Sequence, residues 1–438
     1  MRSCRSLLRL RLEAASLLRA QTWGGPPAAP VAGLRRASGG ALPAWDAEAE
    51  AAASGEGGGF LVPLVRDEAT LTTLSPADVG RFFVFSEADE AALLPDGLPV
   101  GMADEFALAP GRRLLARQSF LTLRDHVLNS TAARPAEHRV LEGLPGAGKS
   151  VLLALTVAAA RQAGWLALYV PRGRSLTTGS PYAKHEPKRR LTTKPRGAAG
   201  GAPSAEPAAP PPPPPPLLPP RPPPLHAMWN TPDHARRLAG SLVAAHGELL
   251  ASLPRKAAGA APGATLRSLA DAARSATAAP AAVVDAWLDL VDELKAVSDV
   301  RVLFAVDELN ALSAWTTYHE VVGPKSRRRM HAGELRVAES LRSLPAAPFP
   351  SGLFLGAVSS SVGVSPRVAC AGVPRSVRRS VPRFALDDTR LLLRHYAFAG
   401  AAPRLRAADG FDIDIAAPAA HALSVGSGTL LRNSVVLL

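Results

Sequence analysis

The sequence predicts an α/β fold, a mostly parallel sheet flanked by helices, and three stretches carry that prediction. Residues 143–150 read Gly-Leu-Pro-Gly-Ala-Gly-Lys-Ser and run into a Leu- and Ala-rich stretch free of Gly and Pro, so a glycine loop leads directly into a helix. Residues 164–171, Gly-Trp-Leu-Ala-Leu-Tyr-Val-Pro, form a continuous apolar run bounded by Gly and Pro, the pattern of a buried parallel strand. Residues 300–308, Val-Arg-Val-Leu-Phe-Ala-Val-Asp-Glu, form a second such run that ends in two carboxylates. With the strand-like residues 138–141 ahead of the loop, the order strand, loop, helix, strand gives a βαβ unit.

The loop fits the phosphate-binding pattern G-x-x-x-x-G-K-[ST] at each fixed position, and the chemistry needs each part. Gly143, Gly146 and Gly148 free the backbone to turn successive N–H groups toward phosphate oxygens, with Pro145, Ala147 and Val151 along the same wrap. Lys149 adds a point charge, the Ser150 hydroxyl is placed to hold Mg²⁺, and the positive end of the following helix faces the anion. Asp307, at the carboxyl end of its strand, would hold Mg²⁺ through a water, and Glu308 would polarise an attacking water as general base. The fold expected is therefore that of a P-loop NTPase. Ser359 or Ser360, ending a strand-like run over 351–361, is placed to sense a terminal phosphate, and Arg117 and Gln118 are candidates for contacting the base. A guanine-reading Asn-Lys-x-Asp motif is absent, so the residues alone allow ATP as well as GTP or GDP.

Composition bounds the remainder. A net charge of +13 favours a polyanionic partner, RNA or an anionic membrane surface. No apolar run approaches the ~18–20 residues that span a bilayer. Residues 1–38 carry seven arginines against the single acid Glu13, with leucines at amphipathic spacing, which reads as a mitochondrial transit peptide cut near Arg36. Its loss would remove Cys4 and leave only Cys370, in keeping with a reducing compartment.

Residues 39–110 form an N-terminal extension, beginning with a small, polar, flexible arm and including a short helix capped by Ser75 with Pro76 at its first position. A P-loop domain follows over 111–400, opening on a helix at 113–129. Past Pro171 the chain turns basic and then runs through prolines 210–216, a density that permits neither helix nor ladder, so 172–225 is expected to be a disordered insertion. Helical signals resume at Thr231-Pro232 and carry to 253; 281–297 is a second, amphipathic helix, 334–344 a short one and 387–397 another. A helical segment over 401–438 closes the chain. Arg327, Arg328 and Arg329 form one basic cluster. Arg367, Arg375, Arg378 and Arg379 belong to an acid-free run over 367–383, best explained by docking on phosphate backbone, which marks both sets as candidate RNA contacts.

Taken together, the ordered set L-S-P-A-D, L-P-D-G-L-P, L-L-A-R-Q, G-L-P-G-A-G-K-S, W-L-A-L-Y-V-P, A-V-D-E-L-N-A-L and G-A-V-S-S resembles one family, the GTP-binding proteins of the mitochondrial ribosomal small subunit, also known as death-associated proteins and as small-subunit protein S29. The likeness runs discontinuously from about Leu74 to the C-terminus. It implies a P-loop fold of the AAA-like kind and a place in the head of the small subunit, within the mitochondrial matrix. It further implies contacts with small-subunit rRNA, with other ribosomal proteins and with the large subunit across intersubunit bridges. A bound guanine nucleotide is implied too, with its phosphates on Gly146, Gly148, Lys149 and Ser150 and the metal-side carboxylate on Asp307. The chain departs from the family pattern in two places: the residue after that Asp is often not acidic, whereas here it is Glu308, and the Pro-rich insertion is foreign. The rival expectation is a free AAA-like ATPase or GTPase acting as a switch or remodelling factor, with Glu308 as its base.

Overall fold

A computed structural model describes residues 62–65, 69–109, 111–130, 137–185, 228–257, 261–360, 362, 375–401 and 413–435. The expected transit peptide and arm, the proline run, both cysteines and Arg367 lie outside the described residues.

The N-terminal part wraps one flank of the domain. Strand β1 (Phe82–Val84) is followed by helices α1 (Glu87–Leu93) and α2 (Val100–Leu108), then by strand β2 (Arg113–Leu115) and helix α3 (Gln118–Leu128). Ser75 starts a single 3₁₀ turn over Pro76–Asp78, with the Asp78 carboxylate accepting from the Ser75 N–H at 2.8 Å. Sequence periodicity predicts one helix over 113–129; instead its first three residues pair antiparallel with β1, Phe82 opposite Leu115. The pairing partner lies some thirty residues upstream, so no local pattern reveals it, and burial of Leu114 outweighs helical propensity.

The central sheet has five parallel strands. β3 (Arg139–Glu142) leads through the glycine loop to α4 (Lys149–Gln162) and then to β4 (Leu166–Val170). Short strands β5 (Ala183–Lys184) and β6 (Trp229–Asn230) pair antiparallel with each other across the undescribed insertion. Helices α5 (Pro232–Ser252), α6 (Leu266–Arg274) and α7 (Pro280–Ala296) then feed β7 (Val302–Val306). A hairpin of β8 (Trp315–Gly323) and β9 (Ser326–His331) precedes α8 (Arg336–Arg342) and β10 (Gly352–Ala357). β11 (Arg378–Ser380), α9 (Leu386–Phe398), α10 (Ile413–Ser424) and α11 (Gly428–Val435) complete the chain. The sheet order is β11, β3, β10, β7, β4.

Alternation along each strand feeds two cores, as a sheet covered on both faces requires. Leu166, Leu168, Val170, Val302, Phe304 and Val306 face α5–α8 around the fully buried Trp287. Ala167, Tyr169, Leu303 and Ala305 face the other way onto α3 and α4, whose Ala154, Ala158, Ala159 and Ala160 let the helix lie close to the strands. A smaller third cluster joins α9, α10 and α11 to Phe82.

Two expectations shift. The ordered chain continues past Arg172, because Leu176 is buried in the core and Gly173 lies so tightly under the next strand end that a Cβ would meet the Asp307 and Glu308 carbonyls at 2.7 Å. The described structure extends to His185, short of the prolines. The basic cluster at 327–329 belongs to a β-hairpin turned at Gly323, a strand pair that the sequence reading does not anticipate.

Candidate functional site

A cavity of about 530 Å³ opens where the parallel strands end. Residues just beyond the carboxyl ends of β3, β4, β7 and β10 all line it: Pro145 and Gly146, Pro171 and Arg172, Asp307 and Glu308, and Val358 to Ser360. Open α/β sheets bind ligands at this edge, and the volume lies within the range for small-molecule sites.

Local backbone requirements explain the glycine loop. Gly143, Gly146 and Gly148 adopt φ of 141°, 72° and 89°, the region that side chains oppose. Space is as restrictive as conformation: a Cβ on Gly143 would lie 2.8 Å from the Val381 carbonyl, and one on Gly148 3.3 Å from the Arg117 guanidinium. Gly148 caps α4, and Lys149 and Ser150 open it. The Lys149 ammonium folds back onto the loop, donating to the carbonyls of Gly143 and Leu144 at 2.9 Å each. Burial pulls its pKa below the ordinary lysine value, and Asp307 opposes that pull. Pro145, Val151 and the glycines at 146 and 148 line the cavity beside Lys149, whereas Ala147 is buried behind the loop.

Across from the lysine, β7 delivers Asp307. Burial pushes its carboxyl up to about 6, against the downward pull of hydrogen bonds from the Ser150 hydroxyl and the Glu308 N–H, the latter at 2.8 Å. Ser150 and Asp307, expected to act together, are thus in contact. Among the described residues no three His, Cys, Asp or Glu side chains gather to hold a metal. A hard cation beside Ser150 and Asp307 would take its remaining oxygens from ligand and water. Glu308 stands at φ 52° on the cavity wall, and its carboxylate accepts the Arg174 N–H at 3.1 Å.

The base-contact candidates separate. Arg117 lines the cavity, but its guanidinium donates to the Ala147 carbonyl at 2.8 Å and to the Pro382 and Arg383 carbonyls at 2.9 and 3.1 Å, over the Phe384 ring. It braces the loop from below. Gln118 is not among the lining residues; its amide leans toward the Thr122 hydroxyl on α3. Ser359 and Ser360 both line the cavity, with the Ser359 backbone gripped by the buried Asn310, which donates to its carbonyl at 2.6 Å and accepts its N–H at 3.0 Å.

Several contributors escape the sequence reading. Asn310 follows the Asp-Glu pair by two residues, a signal present but unassigned. Glu105, Tyr396, Thr429 and Arg432 arrive from α2, α9 and α11 with no motif to announce them. Glu105 accepts from the Tyr396 hydroxyl at 3.0 Å, and burial raises its pKa above the ordinary carboxyl value.

The candidate RNA contacts sit on two separate elements. On β9, Arg327 and Arg329 are exposed, while Arg328 is held between Glu320 and Glu334 at 2.7 and 2.6 Å. At the sheet edge, Arg375 and Arg379 are exposed on and beside β11, and Arg378 reaches Glu142 at 3.5 Å.

Fold and site define an α/β protein with a ligand-sized cavity at the carboxyl edge of a parallel sheet, floored by a glycine loop. The family model for mitochondrial ribosomal death-associated protein 3 matches residues 114–196 and 227–370, just over half of the chain, and the gap between the two blocks falls on the proline run. The chain belongs to this family, and so is a protein of the small subunit of the mitochondrial ribosome, working in the mitochondrial matrix. No curated protein sequence matches it. Among the described residues no helix is long and apolar enough to cross a membrane.

Proposed function

We propose that the chain binds a guanine nucleotide with Mg²⁺ at the glycine loop, as a P-loop protein of the AAA-like kind, and uses it chiefly to stabilise its place on small-subunit rRNA. The observation that carries the reading is the Lys149 ammonium, which donates to two loop carbonyls above a glycine-dependent turn and lines the same cavity as the bonded Ser150–Asp307 pair. Those two carbonyls are weak substitutes for phosphate oxygens, toward which a buried cation gains more. The sheet order, with β10 inserted between the loop strand and the Asp307 strand, fits the AAA-like class.

The residues present fit the nucleotide and its cation. Loop N–H groups and the start of α4 suit the phosphates, Lys149 their charge, and Ser150 with Asp307 the magnesium, which would neutralise phosphate charge when bound. The Asp104 and Glu105 carboxyls, which also line the cavity and are engaged by Arg432 and by the Tyr396 hydroxyl, have further acceptor positions suited to the N1–H and N2–H₂ donors of guanine. A ligand at 100 times its Kd adds ~2.7 kcal/mol to stability, enough for a structural role with slow or absent hydrolysis. The exposed Arg327, Arg329, Arg375 and Arg379 provide phosphate-backbone contacts for the rRNA.

Titration of the purified full chain with a fluorescent GTP analogue and Mg²⁺ tests the site. Binding should be lost in Lys149→Ala, and ATP should compete more weakly than GTP. In gradients of mitochondrial extract the wild-type chain should travel with the small subunit. Equal binding by the Lys149→Ala chain would refute the nucleotide assignment.

A further inference from the structure

The β8–β9 hairpin has two unlike faces. The inner one packs on the domain: Thr316, Tyr318 and Met330 are buried, and the Tyr318 hydroxyl accepts the Ser180 N–H at 3.0 Å. The outer one carries Trp315, Thr317, His319 and Val321 on β8 and Arg327, Arg329 and His331 on β9. Register sets Trp315 opposite His331, His319 opposite Arg329 and Val321 opposite Arg327.

Trp315 is 58% exposed, and one exposed ring is ordinary on a protein surface. Its setting is not. The His331 ring stands perpendicular to the indole with centroids 5.5 Å apart. That imidazole is itself pinned, its Nδ1 accepting the Gly333 N–H at 3.1 Å and its Nε2–H donating to the Ser313 carbonyl at 3.1 Å. The Arg329 guanidinium lies alongside, donating to the Thr316 carbonyl at 2.5 Å and the Trp315 carbonyl at 3.4 Å. The indole is therefore a rigid, solvent-facing ring with a cation beside it.

Charge on the hairpin is sorted by face. Glu320 is the only acid between Trp315 and His331, and it is turned toward Arg328 and Lys184, at 2.7 and 3.8 Å. The outer face thus presents two guanidinium groups and no carboxylate. About 20 Å of strand separates Trp315 from the Val321–Arg327 pair, room for a few nucleotides. A nucleotide strand supplies what this face can hold, ring faces for the indole and phosphates for the arginines.

Building on the rRNA reading above, we infer that the outer face of β8–β9 is a platform for unpaired RNA. A base stacks on Trp315, and the phosphates run toward the hairpin turn along Arg329 and Arg327. Duplex RNA is a poor occupant, since its bases are stacked on one another and offer shape and phosphate but no free ring face. The arginines supply attraction that is blind to sequence, and the indole selects single-stranded segments.

Anisotropy titrations of the purified full chain test this, with a fluorescein-labelled, unstructured RNA of about 12 nucleotides and a blunt RNA duplex of the same length as probes. Trp315→Ala should weaken single-strand binding about tenfold while leaving duplex binding and the salt dependence unchanged, and Trp315→Phe should retain most of the affinity. Arg327→Gln combined with Arg329→Gln should weaken both probes and lower the single-strand slope of log K against log salt by about 1.4. If Trp315→Ala binds the single strand as tightly as wild type, or Trp315→Phe loses as much as Trp315→Ala, the platform is refuted, while RNA binding that still depends on the arginines keeps the rRNA reading. If the wild-type chain binds neither probe, the rRNA reading fails and the platform with it.

Discussion

Replacing Asp307 by Asn should make the unliganded protein more stable at neutral pH, and the gain should disappear on acidification. The carboxyl is almost wholly buried, and its pKa is lifted from 3.8 to about 6. Between those values the folded chain keeps a proton that the unfolded chain has released, so stability falls as pH rises through the window and stays level above it. At 1.36 kcal/mol per unit, the cost of the buried charge at pH 7.5 is about 3 kcal/mol. Asn keeps nearly the same shape and retains an acceptor for the Glu308 N–H and the Ser150 hydroxyl, but cannot ionise. Guanidinium denaturation of both proteins without ligand, from pH 4.5 to 8, should show Asn ahead by about 3 kcal/mol at the upper end and by only about 1 kcal/mol at the lower, the gap closing as pH falls below 3.8. The same substitution should weaken Mg²⁺-dependent nucleotide binding, because the carboxylate is costly in the empty site and useful beside a cation. A stability gap that does not change with pH, or Asn trailing Asp at pH 7.5, would refute the reasoning.

Three further outcomes follow from the same structure. His234, His246 and His395 are buried with pKa values lowered to about 4, chiefly by burial, so each withholds ~3 kcal/mol of stability as pH falls from 6.5 toward 4; His395→Phe should flatten the acid limb of a denaturation profile. Gly146→Ala should destabilise the loop by ~1–3 kcal/mol, and adding Ser427→Gly should restore part of that in a thermal melt, because it relieves the overlap but leaves the positive φ in place. Arg161→Met strands the buried Asp96 carboxylate, its ion-pair partner at 2.6 Å, and should cost ~3–5 kcal/mol, with the double variant carrying Asp96→Asn less affected in the same denaturation assay.

Much of the site's chemistry is legible in the chain because it is local. A loop that needs three positive-φ glycines within six residues, followed by Lys and Ser on the first turn of a helix, leaves its requirement in consecutive letters. The strands β4 and β7 are equally plain, since burial on both faces demands an unbroken apolar run. The hairpin of β8 and β9 is harder to read: its residues alternate only partly, and its arginines look like a charge run until Glu320 and Glu334 are seen to hold Arg328.

The sequence by itself determined the βαβ core, the glycine loop, the paired serine and aspartate, and the family. Tertiary structure alone decided that residues 113–115 are strand rather than helix, that Arg117 braces the loop by bonding its backbone, and that the last described helix closes the cavity against Gly146. The division has a physical cause. Backbone conformation and the period of burial act between near neighbours and must be written within a few residues, whereas a cavity wall is made by whichever surfaces packing brings together, and elements from opposite ends of the domain need share no pattern to meet there.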